Sequence, residues 1–100
     1  MSEQLRQYQI APGRMEDFID ACRRSGVLKL RDRFGFEFVA AWVIEDENKF
    51  VWVVRHAGDD GDFKAAEEAY YASSERATLT PDSGEFVLEA TTVLMTTVHI

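Results

Sequence analysis

His56 is the residue of this chain best suited to chemistry. Of the two histidines it is the one set among aromatic side chains, since His99 trails after the last apolar run. An imidazole exchanges a proton near neutral pH, and an apolar setting favours its neutral, basic form. His56 closes the stretch 36–56, FEFVAAWVIEDENKFVWVVRH, in which two apolar runs, 36–44 and 50–54, flank a polar break at 45–49. β-Branched and aromatic residues suit a pleated surface, and the break has the size of a hairpin loop. With Asp46, Glu47 and Asn48 as a three-residue loop and Asn48 left-handed, Trp42 faces Trp52, Ile44 faces Phe50, Ala40 faces Val54 and Phe38 faces His56. One face then carries Phe36, Phe38, Trp42, Phe50, Trp52 and His56, the composition of a small-molecule site with one polar handle. His56 is the candidate general base, with Phe38, Trp42 and Trp52 as apolar walls. Tyr8 and Tyr70 are candidates to orient a substrate by hydrogen bonds. The same residues also read as plain structure: a hydrogen-bonded strand-end histidine, a cross-strand tryptophan pair and two core tyrosines. Glu89 is either an acid or base in an apolar strand or a solvent-facing carboxylate.

Other chemistries find no residues to carry them. No His/Cys/Asp/Glu group has zinc-ligand spacing, so no metal is expected. Asp59, Asp60 and Asp62 lack the downstream glutamate of a calcium loop, and Asp62 reads better as a helix N-cap. There is no glycine-rich phosphate loop, no nucleophile elbow and no dinucleotide fingerprint, and neither helix offers a histidine to haem iron. No cofactor is therefore expected. The single cysteine, Cys22, lies on a buried stripe with no histidine near it in sequence, the setting of a structural thiol. A net charge of -7 argues against nucleic acid and anionic membranes as partners. No window reaches transmembrane length. The start, MSEQLRQYQI, has no basic region leading into a long apolar run, so a cytoplasmic protein without a signal peptide is the expectation.

The elements that must position these residues follow from periodicity. Residues 4–10 alternate as a strand with Arg6, Tyr8 and Ile10 on one face, stopped by Ala11-Pro12-Gly13. Met15, Phe18, Ile19 and Cys22 make one face of a helix over 14–24, acidic at its start and basic at its end. Gly26 interrupts it, and Val27 to Arg33 adds another turn or two before Gly35. The hairpin comes next, with Glu37 diagonal to Arg55 as a structural charge pair. A second helix over 63–76 buries Phe63, Ala66, Ala69 and Tyr70, with Tyr71 reaching toward an edge. A last strand over 85–98 is long enough to pair across a subunit boundary.

The order β-α-β-β-α-β over residues 1–100 is one α+β domain, the ferredoxin-like arrangement. It is a four-stranded antiparallel sheet with two helices on one face. Both faces of the hairpin are apolar, so both need cover. The Val39, Val43, Val51 and Val53 side is assigned to the helices. The Phe38, Trp42, Trp52 and His56 side is left for a second copy of the chain.

With Arg6-Gln-Tyr8-Gln-Ile10-Ala-Pro12-Gly13, Phe18, Phe34-Gly35-Phe36, Trp42, Asn48-Lys-Phe50-Val-Trp52 and Arg55-His56 in these positions, nearly the whole chain resembles the NIPSNAP family of the dimeric α/β-barrel superfamily. The resemblance implies a homodimer whose two sheets close a barrel with helices outside. It also implies kinship with cofactor-free monooxygenases, isomerases, cyclising or ring-cleaving enzymes and haem-degrading enzymes, alongside members with no assigned activity. Similar sequences place an aromatic such as tyrosine where this chain has His56. The functional expectation is a pocket for an apolar or aromatic small molecule. It serves either a cofactor-independent enzyme with His56 as base or a non-catalytic ligand-binding or interaction dimer.

Overall fold

The computed structural model describes residues 1–100. The chain runs β1 (Ser2–Ile10), α1 (Met15–Ser25), α2 (Val27–Arg33), β2 (Phe36–Ile44), β3 (Lys49–His56), α3 (Asp60–Ala72), α4 (Ser74–Ala77) and β4 (Val87–Met95). Single 3-10 turns lie at Glu45–Glu47 and Ser83–Phe86. The strands form one sheet in the order β2-β3-β1-β4, and every neighbouring pair is antiparallel. This is the expected ferredoxin-like α+β fold. The shortest dimension of the molecule is 18 Å, room for one sheet and one helical layer.

Local chemistry explains the element ends. Gly26, at φ 76°, closes α1 and opens α2, a left-handed position that glycine takes without steric cost. The cap of α3 is Asp59 rather than the expected Asp62. Asp59 Oδ1 accepts from the Asp62 backbone N–H at 2.8 Å, and Asp62 Oδ2 accepts from the Asp59 N–H at 3.0 Å. Each carboxylate thus satisfies one orphan amide of the helix start. The helix expected over 63–76 divides at Ser73, and the last strand stops at Met95 rather than running on to 98.

The hairpin departs from the expected register in two places. Asn48 is left-handed at φ 53°, as expected, and its Nδ2 donates to the Ile10 carbonyl at 2.7 Å. Ile44, however, faces Lys49, so four residues turn the corner. From that turn Trp42 faces Val51 and Ala41 faces Trp52, and a bulge at Val39 then shifts the pairing once more, so that Phe38 faces Val54 and Phe36 faces His56. Each one-residue shift turns the side chains beyond it over, so the longer turn inverts residues 40–44 and the bulge brings Phe38 and Phe36 back to the Trp52 side. Trp42 therefore shares a face with Val51 and Val53, not with Trp52.

The helices also cover the other face from the one assigned to them. Phe36, Trp52 and Val54 are buried with Leu30, Phe63 and Tyr70 in one core. Phe36 meets Phe63 edge-on at 5.1 Å between ring centroids, and Phe18 of α1 meets Phe50 at 5.0 Å. The helices present large rings, and rings on the sheet reach them across the gap between layers. The flatter side, with Leu5, Val53, Val93 and Trp42, has no cover within the chain. Trp42 and Val93 are more than half exposed there.

Candidate functional site

β1 directs Ser2, Gln4, Arg6, Tyr8 and Ile10 beneath the helices, and the first three are polar yet buried. Arg6, 6% exposed, has a partner for each guanidinium nitrogen. Nε donates to Tyr8 Oη at 2.8 Å, Nη1 to Gln4 Oε1 at 2.8 Å, and Nη2 to Tyr71 Oη at 3.0 Å. Nη1 also reaches the Glu67 carboxylate at 3.4 Å. Burial works against this charge, but the Tyr8 and Tyr71 oxygens more than offset it, and Arg6 stays protonated.

α2 brings a second guanidinium from above. Arg31 is 4% exposed. Its Nη2 donates to the same Tyr71 Oη at 3.1 Å, while Nε and Nη1 are buried without a partner. Arg31 Cζ lies 4.4 Å from the Tyr70 ring centroid and 5.1 Å from that of Trp52. Arg6 Cζ lies 5.5 Å from the Trp52 ring. These are cation–π distances. Two more buried donors are also unpartnered, Tyr70 Oη and Trp52 Nε1. Burial pushes the Tyr70 phenol above its ordinary value, and the pull of Arg31 and Arg76 the other way does not cancel it. Tyr70 is a neutral phenol at any physiological pH.

These groups border a cavity of about 410 Å³ between helices and sheet. Its walls include Tyr8, Phe18, Phe38, Phe50, Trp52 and Tyr70, and the exposed Leu28 and Leu88 mark its opening. Cys22 also lines it. Burial pushes that thiol upward, against a weaker pull from Ser83, so it is a protonated side chain and not a poised nucleophile. Glu89 stands exposed at the rim. The arrangement can take an apolar body against its wall, with the unpartnered donors of Arg31, Trp52 and Tyr70 buried just behind that wall.

Of the residues singled out by sequence, Tyr8, Phe38, Trp52 and Tyr70 come together around this cavity. Trp42 is on the opposite face of the sheet, set there by the four-residue turn that pairs Ile44 with Lys49. His56 is on the helix side but outside the cavity. Its ring packs against Phe36 and Phe63, and its Nδ1 accepts from the Gly58 backbone N–H at 3.0 Å. Arg55 pairs with Glu3 at 3.2 Å and Glu37 at 3.7 Å on the open face, a structural role as expected. No group of three His, Cys, Asp or Glu side chains is placed to hold a metal, and no helix is long and apolar enough to cross a membrane.

Sequence reasoning passed over Arg6, Arg31 and Tyr71 as site residues. The signals were present. Arg6 alternates in step with Tyr8 and Ile10, so a buried Tyr8 brings Arg6 in with it. Arg31 lies four residues after Val27, on the side of α2 that also carries Leu30 inward.

No family model and no curated protein matches the chain. Solved structures do. A NIPSNAP domain protein from Burkholderia xenovorans superimposes with a TM-score of 0.85 at 18% identity, over 98% of this chain and 95% of its own. A NIPSNAP family protein from Agrobacterium tumefaciens gives 0.83 at 12% identity, over 97% and 92%. An antibiotic biosynthesis monooxygenase gives 0.66 at 18% identity, over 99% and 100%. At these identities the likeness is one of fold, and the chain has the ferredoxin-like fold of NIPSNAP-domain proteins.

Proposed function

We propose that this chain, on the fold it shares with NIPSNAP-domain proteins, is a homodimeric small-molecule-binding protein whose ligand occupies the cavity between helices and sheet. The observation that carries this reading is the cavity itself. About 410 Å³ is within the range of drug-sized sites, and an apolar wall with a few convergent donors is how such sites hold ligands. Tyr8, Phe38, Trp52 and Tyr70 form the binding surface. His56 stands apart from it, held by the turn at Gly58.

A second copy on the open sheet face gives the homodimer. Support comes from Leu5, Val53, Val93 and Trp42, an apolar surface of the kind that marks an interface. The catalytic reading draws on the fold shared with an antibiotic biosynthesis monooxygenase. The cavity wall presents phenols and a rim carboxylate, Glu89, but no imidazole, so binding is the reading the geometry supports best.

The test is calorimetric titration with 2-naphthamide, a neutral bicyclic probe small enough for the cavity. Saturable binding is expected in the native protein, with loss in Ala90→Phe, which places a ring where Ala90 lines the cavity. Equal binding by both proteins would contradict the site.

A further inference from the structure

We infer that the ligand is an apolar carboxylate, its anionic group held at Arg31. This rests on the cavity reading above and adds the charge of the ligand to it. The observation is an imbalance. Arg31 is 4% exposed, lines the cavity, forms no ion pair with any carboxylate of the chain, and leaves Nε and Nη1 without partners. Arg6 differs, since Gln4, Tyr8, Tyr71 and Glu67 take up its nitrogens. The faces of Tyr70 and Trp52 ease the burial of Arg31 but accept none of its in-plane N–H groups.

A buried cation without a counter-ion is costly. Guanidinium is the side chain that suits a carboxylate, being planar, permanently charged and rich in donors. Tyr70 Oη and Trp52 Nε1 are likewise buried and unpartnered, on rings whose centroids lie 4.4 and 5.1 Å from Arg31 Cζ. Arg76, whose Cζ lies 5.9 Å from the Tyr70 ring centroid, carries a further unpartnered Nε. The cavity wall thus holds Arg6, Arg31 and Arg76 against the exposed Glu89, in a chain whose net charge is -7. The positive site is local to this cleft, not part of a basic surface. The apolar body of the ligand lies against Trp52, Tyr8 and Phe50.

The experiment compares 2-naphthoate with 2-naphthamide, alike in shape and different in charge, by calorimetry on the native protein and on Arg31→Met. The native protein is expected to prefer the anion by roughly tenfold or more, the size of one charge-assisted hydrogen bond. In Arg31→Met, naphthoate affinity should fall to that of the amide. Equal native affinities would overturn the carboxylate assignment and leave the cavity reading standing. Binding of neither probe would overturn the cavity reading and this inference with it. A preference that persists in folded Arg31→Met would overturn the assignment to Arg31. Should that variant fail to fold, the native comparison still decides the charge of the ligand, and Arg31→Lys, which keeps the charge and loses the planar donor set, tests the residue by a weakened preference.

Discussion

In the proposed site, the charges of Arg31, Arg6 and Tyr70 do not change with pH in the physiological range. Arginine does not titrate there, and Tyr70 is held above its ordinary 10.0 by burial. Affinity for 2-naphthoate should therefore be flat from about pH 6 to 9, while a site built on an imidazole would change near roughly pH 6.5. Calorimetry across that range reads the difference. The sign for stability follows from the same shift. The folded state holds the Tyr70 proton more tightly than the unfolded chain does. Stability is thus unaffected by this group below pH 10.0 and falls as pH rises through it. His56→Ala should leave naphthoate affinity unchanged and cost about 1–2 kcal/mol in denaturant unfolding, from the bond to Gly58 and contacts with Phe36 and Phe63. A tenfold drop in affinity would put His56 back into the site. His56 drew attention in the sequence because titratable groups advertise themselves, whereas Arg31 looks like any surface arginine until its helix is docked.

At the scale of elements, the turn at Asn48 supports the sheet in two ways. Its backbone is left-handed at φ 53°, and its side chain ties the hairpin to the end of β1 through the Ile10 carbonyl. Asn48→Ala loses both and should cost about 2 kcal/mol. Asn48→Gly keeps the backbone conformation, loses only the bond, and should cost about half as much, as urea unfolding would show. Equal losses would mean that the backbone position carries no strain. The left-handed Asn48 and the alternation of helix and strand periods were legible in the sequence, and with them the topology. The bulge at Val39 was not. No glycine or proline marks it, and valine is at home in a regular strand, so nothing local separates a bulged from an unbulged β2. Nor was the fourth turn residue, which puts Trp42 on the open face. The choice of face was hidden for a different reason. Both sides of β3 are apolar, and only the docking of Phe63 and Tyr70 shows which one the helices take.

At the scale of the whole molecule, a slab 18 Å thick with one sheet face open has the shape of one half of the proposed dimer. Trp42→Arg places a charge on the β2 side of that face, at its most exposed large ring. It should convert the proposed dimer to a monomer in light scattering without unfolding it, because Trp42 is 53% exposed in the single chain. A Trp42→Arg protein that keeps the native mass would place the interface elsewhere. The two tryptophans also divide the molecule into its two sides, Trp52 within the cavity and Trp42 beyond the sheet. Their indole N–H resonances, assigned with Trp42→Phe, therefore form the most direct test of where a ligand sits. Titrating 15N-labelled native protein with 2-naphthoate should move the Trp52 indole signal to saturation and leave that of Trp42 in place. Movement of the Trp42 signal alone would mean that the open face binds the ligand and that the cavity beneath the helices does not.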